Sequence, residues 1–212
     1  YEYVEYISEP IIVGRDDTKC HYDDWTALKA LYEATNGDNW DYNEGWDIVK
    51  NDEPPLDCNL NNLYGVTLDR SGRVLRIYDG GNLHGYLPPE LSKLKNLEEL
   101  NFTNAKLNGV IPPELGNLIN LKELGLEDNQ LTGNIPPELG NLNNLVFLYL
   151  NNNQLTGNIP PELSNLNSLD VLSLNDNQLS GSIPDAIFNM SNLGRLELQN
   201  NELTGSISIE VG

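Results

Sequence analysis

Along residues 97–207 an apolar side chain returns every 24 positions, at places 1, 4, 6, 11, 15 and 19 of each period, with polar residues between. The segments LKELGLEDNQLTGNIPPELGNLNN (121–144), LVFLYLNNNQLTGNIPPELSNLNS (145–168) and LDVLSLNDNQLSGSIPDAIFNMSN (169–192) follow one another in register. Places 4 and 6, Leu124 and Leu126, then Leu148 and Leu150, then Leu172 and Leu174, alternate as a short strand with one buried face does. One such strand is too short to bury its own apolar side. Stacked in parallel at about 4.8 Å per rung, the strands form a continuous sheet with a continuous core behind it. A fixed period of this length predicts a solenoid, whose function lies on a repeated surface.

The polar places are equally regular. Place 9 is Asn129, Asn153, Asn177 and Asn201, where the strand turns away, so a column of side-chain amides can pair backbone groups that burial would otherwise orphan. Gly133, Gly157, Gly181 and Gly205 mark a second bend. The Ile-Pro that follows stops a hydrogen-bond ladder, and the PPELGNL or PPELSNL return is too short and proline-marked for a long helix. Short 3₁₀ turns are predicted there, on the convex side.

The pattern LxxLxLxxNxLxGxIPxxLxxLxx resembles the plant-type leucine-rich repeat, the class found in ectodomains of receptor kinases and receptor-like proteins and in secreted or surface proteins of microbes. The resemblance implies an α/β solenoid: a right-handed superhelix with a parallel concave sheet, a 3₁₀ or irregular convex side and an N-terminal helical cap. Departures are informative. Ala105 removes one rung of the Asn column, and the strand part of 73–96, RVLRIYDGGN, fits only with a one-residue slip. At the far end Ser208 replaces the proline, and Ile207, Ile209 and Val211 alternate as a closing strand would.

Three divisions follow: an N-terminal arm at 1–19, a cap at 20–72, and a solenoid at 73–212 of about six repeats, the last incomplete. Within the cap, DDWTALKALYEATNG (23–37) reads as an amphipathic helix with Asp23 or Asp24 as N-cap, Trp25, Leu28, Leu31 and Tyr32 as its stripe, and Gly37 as its stop. Trp25, Trp40 and Trp46 are expected in the core. CNLNNLYGVTLDRSGRV resembles the family's cap at Gly65, Val66, Gly72 and Val74, but Leu63 and Leu68 stand where Trp and a second Cys are usual, so the family's local cysteine pairing does not transfer. Cys20 and Cys58 remain, either as one disulfide, as their even number in an extracellular-type domain favours, or as two buried thiols. A bond closing that loop is worth about 3–4 kcal/mol in the chain-entropy model.

A formal net charge of −20 makes nucleic acid and anionic membranes poor partners. No apolar run is long enough to span a bilayer. With no signal peptide in the chain, the expectation is a mature extracellular or cell-surface protein, as a monomer or a dimer on ligand binding. His21 and His84 lie beside no nucleophile motif, metal-ligand spacing is absent, and no calcium-loop pattern occurs, so neither catalysis nor a cofactor nor a metal is expected.

Recognition is therefore sought at places that vary. Places 3, 5, 7 and 8 are expected to point outward from the concave sheet. Glu123, Phe147, Tyr149, Val171, Ser173, Arg195 and Glu197 form the candidate surface for a protein, peptide or glycan, with the apolar Phe147, Tyr149 and Val171 among polar neighbours as its centre. A competing surface is the flank array of Thr132, Asn134, Thr156, Asn158, Ser180, Ser182, Thr204 and Ser206, whose repetition suits a polysaccharide or, further afield, an ice lattice, and would make the chain an adhesion or structural element. Sequons at Asn101 and Asn189 are possible glycosylation sites, the first on the concave face and the second on the convex return.

Overall fold

The computed structural model describes residues 21–54, 59–78 and 82–205. The apolar stripe of the cap forms α1 (Tyr22–Ala34), which buries Trp25, Ala27, Leu28, Leu31 and Tyr32. Neither Asp23 nor Asp24 is its N-cap: His21 holds that position, and Asp24 is 1% exposed. The Asp24 carboxylate accepts from Arg73 Nη2 at 2.7 Å, Arg73 Nε at 3.0 Å and the Val74 backbone N–H at 2.7 Å. Burial selects this use, because a carboxylate at that depth requires a paired charge and aligned donors. Asp24 thus clamps the helix to the first repeat. The helix stops at Thr35, Asn36 takes the left-handed turn at φ 59°, and Gly37 opens the following 3₁₀ turn. A Cβ on Gly37 would lie 2.2 Å from the Tyr32 ring.

Each tryptophan packs in the core and satisfies its N–H there, Trp25 on Ile48 O, Trp40 on Thr35 O and Trp46 on Tyr64 O. The Trp40 and Trp46 rings meet edge to face at 4.8 Å.

The antiparallel pair β1 (Val66–Leu68) and β2 (Val74–Tyr78) then starts the concave sheet. From there each turn of the chain gives one strand to each of two sheets, within which successive rungs run parallel. In order these are β3 (Gly85–Tyr86), β4 (Glu99–Asn101), β5 (Leu107–Val110), β6 (Glu123–Gly125), β7 (Gln130–Asn134), β8 (Phe147–Tyr149), β9 (Gln154–Asn158), β10 (Val171–Ser173), β11 (Gln178–Ser182), β12 (Arg195–Glu197) and β13 (Glu202–Thr204). The concave sheet runs β1-β2-β4-β6-β8-β10-β12 and a flank sheet runs β13-β11-β9-β7-β5-β3. Arg76 pairs with Glu99 and Ile77 with Leu100, which is the one-residue slip expected of the first repeat. Between the sheets the leucines of places 1, 4, 6, 11 and 19 are buried from Leu97 through Leu179. On the convex side the returns are 3₁₀ turns at Pro89–Lys93, Pro113–Asn117, Pro137–Asn141 and Pro161–Asn165; where Asp185 replaces the second proline the return is a short helix, α2 (Asp185–Phe188). The architecture is an α/β solenoid.

The Asn column joins successive rungs. Asn153 Nδ2 donates to Leu126 O of the previous rung at 2.9 Å and to Leu150 O of its own at 3.2 Å, while Oδ1 accepts the Leu131 N–H at 2.9 Å. Asn129 and Asn177 repeat the pattern, and Asn201 does so at the last described rung.

Place 8 also carries a backbone constraint. Asn104, Asp128, Asn152, Asp176 and Asn200 all take positive φ, between 53° and 57°, and shape the turn that leaves the strand. Asn and Asp tolerate this backbone where branched residues do not, so the chain's path limits which residues can stand there. The N-terminal arm, the proposed Cys20–Cys58 bond and the closing strand at 207–211 lie outside the described residues.

Candidate functional site

Register aligns the concave columns as side-by-side rows. Place 3 reads Glu99, Glu123, Phe147, Val171, Arg195, and place 5 reads Asn101, Gly125, Tyr149, Ser173, Glu197. Alternation along each strand sends these side chains outward while place 4 leucine points in. Phe147 and Tyr149, two apart on β8, lie with ring planes 6° from parallel and centroids 6.2 Å apart. Both are half-buried, as is Val171 beside Phe147.

The rows are polarised. At the cap end Arg76 Nε stands 2.9 Å from Glu99 Oε1, an ion pair whose N–H is not aimed at the carboxylate, and Glu99 also accepts the Tyr78 hydroxyl at 2.5 Å. That bond first, and burial second, push the Tyr78 phenol above its ordinary value. Glu123 and Glu127 follow. At the other end Arg195 donates to Glu197 through Nε at 2.9 Å, and Glu197 also accepts the Ser173 hydroxyl. These two partners, Ser173 first, hold the Glu197 carboxyl below its usual range. Ser173 is only 2% exposed, so of the seven candidate residues it offers a ligand the least. Burial, and then the Glu123 and Glu127 carboxylates, push the Tyr149 phenol up.

Gly125, at place 5 beside Tyr149, contributes no side chain of its own and is covered by Asn101 and Glu127; its φ is not positive, so the backbone does not require glycine there. Asn101 is less available to a glycan than its sequon suggests. Its Nδ2 donates to Glu123 Oε1 at 3.1 Å and its Oδ1 accepts from Thr103 N and Oγ1. Asn189 is exposed at the end of α2.

The flank sheet presents a second surface. Gln130, Thr132 and Asn134 of β7 are exposed around buried Leu131, and β9 and β11 repeat the alternation. Toward the cap the chemistry changes: Tyr86 and Val110 occupy the place of Asn134, and with Leu87, Pro89, Pro112 and Pro113 they line an apolar groove of about 570 Å³. Among the described residues no helix is long and apolar enough to cross a membrane.

Two sheets, a leucine core shared between them and an amide ladder at their junction define a repeat protein that exposes columns of varied side chains. The Leucine Rich Repeat family matches residues 96–118, 120–142, 144–166 and 168–190. These four stretches are leucine-rich repeats, and the chain is similar to the ectodomains of plant receptor kinases. Among solved structures it resembles the PEPR1–AtPEP1 complex, at 30% identity and a TM-score of 0.79 over 88% of this chain and 26% of that one. It resembles a plant ice-binding protein at 31% identity and a TM-score of 0.75, over 89% of this chain and 59% of that one. The Arabidopsis receptor kinase HAESA, in complex with the peptide hormone IDA and the co-receptor SERK1, is 28% identical with a TM-score of 0.71, over 87% of this chain and 30% of that one. The chain therefore spans less than two thirds of each of these proteins. Comparison with curated protein sequences gives no match.

Proposed function

We propose that this chain is a non-enzymatic recognition module, extracellular or at a cell surface, that binds a peptide or protein segment across the concave sheet at Phe147, Tyr149 and Val171. The observation that carries the reading is the parallel pair of half-buried rings in the middle of a polarised row, acidic on the cap side and ending at Arg195. Aromatic residues in a partly desolvated setting are the usual anchors of such contacts. The similarity to HAESA, whose structure holds a peptide hormone, supports a peptide as the ligand class.

The test is selection of a random-peptide display library on the whole chain. Peptides enriched on wild type and lost on Phe147→Ser/Tyr149→Ser, with the melting temperature within 2 °C, support the reading. Enrichment that survives the double substitution sinks it.

The flank supports a second reading, contact with a repetitive polymer such as a polysaccharide. What favours it is the recurrence of Thr132, Thr156, Ser180 and Thr204 on successive rungs, with Asn134 set opposite Thr156, Asn158 opposite Ser180 and Ser182 opposite Thr204, together with the likeness to an ice-binding protein. Thr156→Lys tests it: retention on an insoluble polysaccharide, or inhibition of ice recrystallisation, should be present in wild type and lost in the variant.

A further inference from the structure

Among the described residues, two buried side-chain acceptors lack a donor: Glu127 Oε2 and Asn175 Oδ1. Both stand at place 7 on the concave edge, two rungs apart, on either side of the rung that carries Phe147 and Tyr149. The Asn175 orientation is settled by its neighbour, because Nδ2 donates to Asp176 Oδ2 at 2.6 Å and leaves the carbonyl as the free end. A buried acceptor left unpaired is costly, so two of them bracketing one aromatic rung are places where a ligand's donors would be stabilised.

The Glu127 side has further structure. A Cβ on Gly125 would lie 3.0 Å from Asn101 Nδ2 and 3.3 Å from Glu127 Oε2, so these side chains lean across the glycine beside Tyr149. Asn101 is fixed by Thr103 and donates to Glu123, which sets a second carboxylate at the same notch. Among the described residues neither carboxylate is in an ion pair: Arg76 goes to Glu99, Lys122 to Glu98 and Arg195 to Glu197. Two carboxylates, one with an unpaired oxygen, thus flank an aromatic ring at a position without a side chain.

We propose that this notch is the subsite for an arginine side chain of the bound segment. The guanidinium stacks on Tyr149 and donates its edge to Glu127 Oε2 and Glu123, while a second donor of the same segment reaches Asn175 Oδ1. A planar cation with donors in its own plane fits a ring beside two acceptors better than a compact ammonium does. The inference deepens the concave-face reading and rests on it for the larger ligand.

Its test needs no partner. Argininamide titrated into the isotope-labelled chain at 150 mM salt should shift the amides of Gly125, Glu127 and Tyr149, whereas citrulline amide, of the same shape without the charge, should leave them unmoved. Glu123→Gln/Glu127→Gln should weaken the argininamide response roughly three- to tenfold, as expected for a half-exposed cation–π and ion-pair site. Equal shifts by citrulline amide, an undiminished response in the double variant, or shifts spread over other acidic surfaces would overturn it. Shifts confined to the notch with no peptide enriched in the display selection would uphold the subsite and sink the larger reading. Enriched peptides without arginine, beside a silent notch, would do the reverse.

Discussion

On the concave sheet place 5 reads Asn101, Gly125, Tyr149, Ser173, Glu197, while on the flank sheet place 12 reads Asn108, Thr132, Thr156, Ser180, Thr204. The same turns of chain build both columns, at the same rung spacing and against the same core, yet one changes chemistry at every step and the other hardly at all. The difference lies in what stands beside each side chain. Place 13 on the flank is glycine at positive φ in every repeat, and the place 14 side chain lies over the next rung's glycine: a Cβ on Gly157 would meet Asn134 Oδ1 at 2.4 Å, and one on Gly181 would meet Asn158 Oδ1 at 2.5 Å. Flank chemistry is thereby coupled to the backbone. Concave strands have ordinary dihedrals, and their outward side chains meet mostly one another. Constancy on the flank follows from folding, and variation on the concave face is a freedom that folding leaves, on which the proposed recognition draws.

The hardest way to break this comparison is at the junction that both sheets share. Asn153→Ala removes the acceptor of the Leu131 N–H on the flank side and a donor to Leu126 O and Leu150 O on the concave side. Each of those carbonyls keeps one other amide, from Asn129 and Asn177 respectively, so the main loss is one orphaned buried N–H plus two weakened acceptors. Denaturant unfolding should show a loss of about 2–4 kcal/mol. A loss under about 1 kcal/mol would mean that the ladder is ornamental and that packing alone joins the sheets.

Gly157→Ala comes next. Forcing an L side chain to φ 76° with Asn134 in the way should cost about 1–2 kcal/mol, measured by the same unfolding curve. An unchanged midpoint would remove the backbone explanation for the constant flank and give new weight to a ligand there.

These two positions also show what a single chain discloses. The period located Asn153 and Gly157, and with them the core, the turns and the concave sheet, because each such residue satisfies a local rule that recurs. The slip in the first repeat was legible for the same reason. Asp24 was not: as the second of two acids before an apolar stripe it has the pattern of a helix cap, and only the distant Arg73 and Val74 give it another role. The left-handed turn at place 8 was not legible, because Asn and Asp serve equally as ligand contacts and as left-handed turn residues, and only φ shows the turn. The notch at Gly125 was invisible, since a missing side chain matters only once Asn101, Glu127 and Tyr149 are known to surround it.

A smaller effect should come from Asp176, a turn residue lying between the two sheets. The Asn175 amide first, and then Asn200, hold its carboxyl below the ordinary value. A carboxyl depressed in the folded state adds stability that is present above its unfolded pKa and is lost as pH falls through the folded one. Acid titration of Asp176 followed by NMR should therefore have its midpoint below that of a model carboxylate, and Asn200→Ala should raise it. A midpoint unmoved by that substitution would show that the amide from the next rung is not what holds the charge.

The smallest expected change in stability is the one that sharpens the comparison most. Gly125→Ala places a methyl where the backbone already accepts one, so the entropy gained by restricting the unfolded chain offsets the few tenths of an ångström that Asn101 must yield. Unfolding free energy should stay within about 0.5 kcal/mol of wild type, in contrast to the same substitution at Gly157. Argininamide binding should nonetheless fall, because the new methyl parts Asn101 from Glu127 beside Tyr149. Stability and binding that fell together at Gly125 would place the concave face under the same constraint as the flank, and its variation would then need an explanation other than recognition.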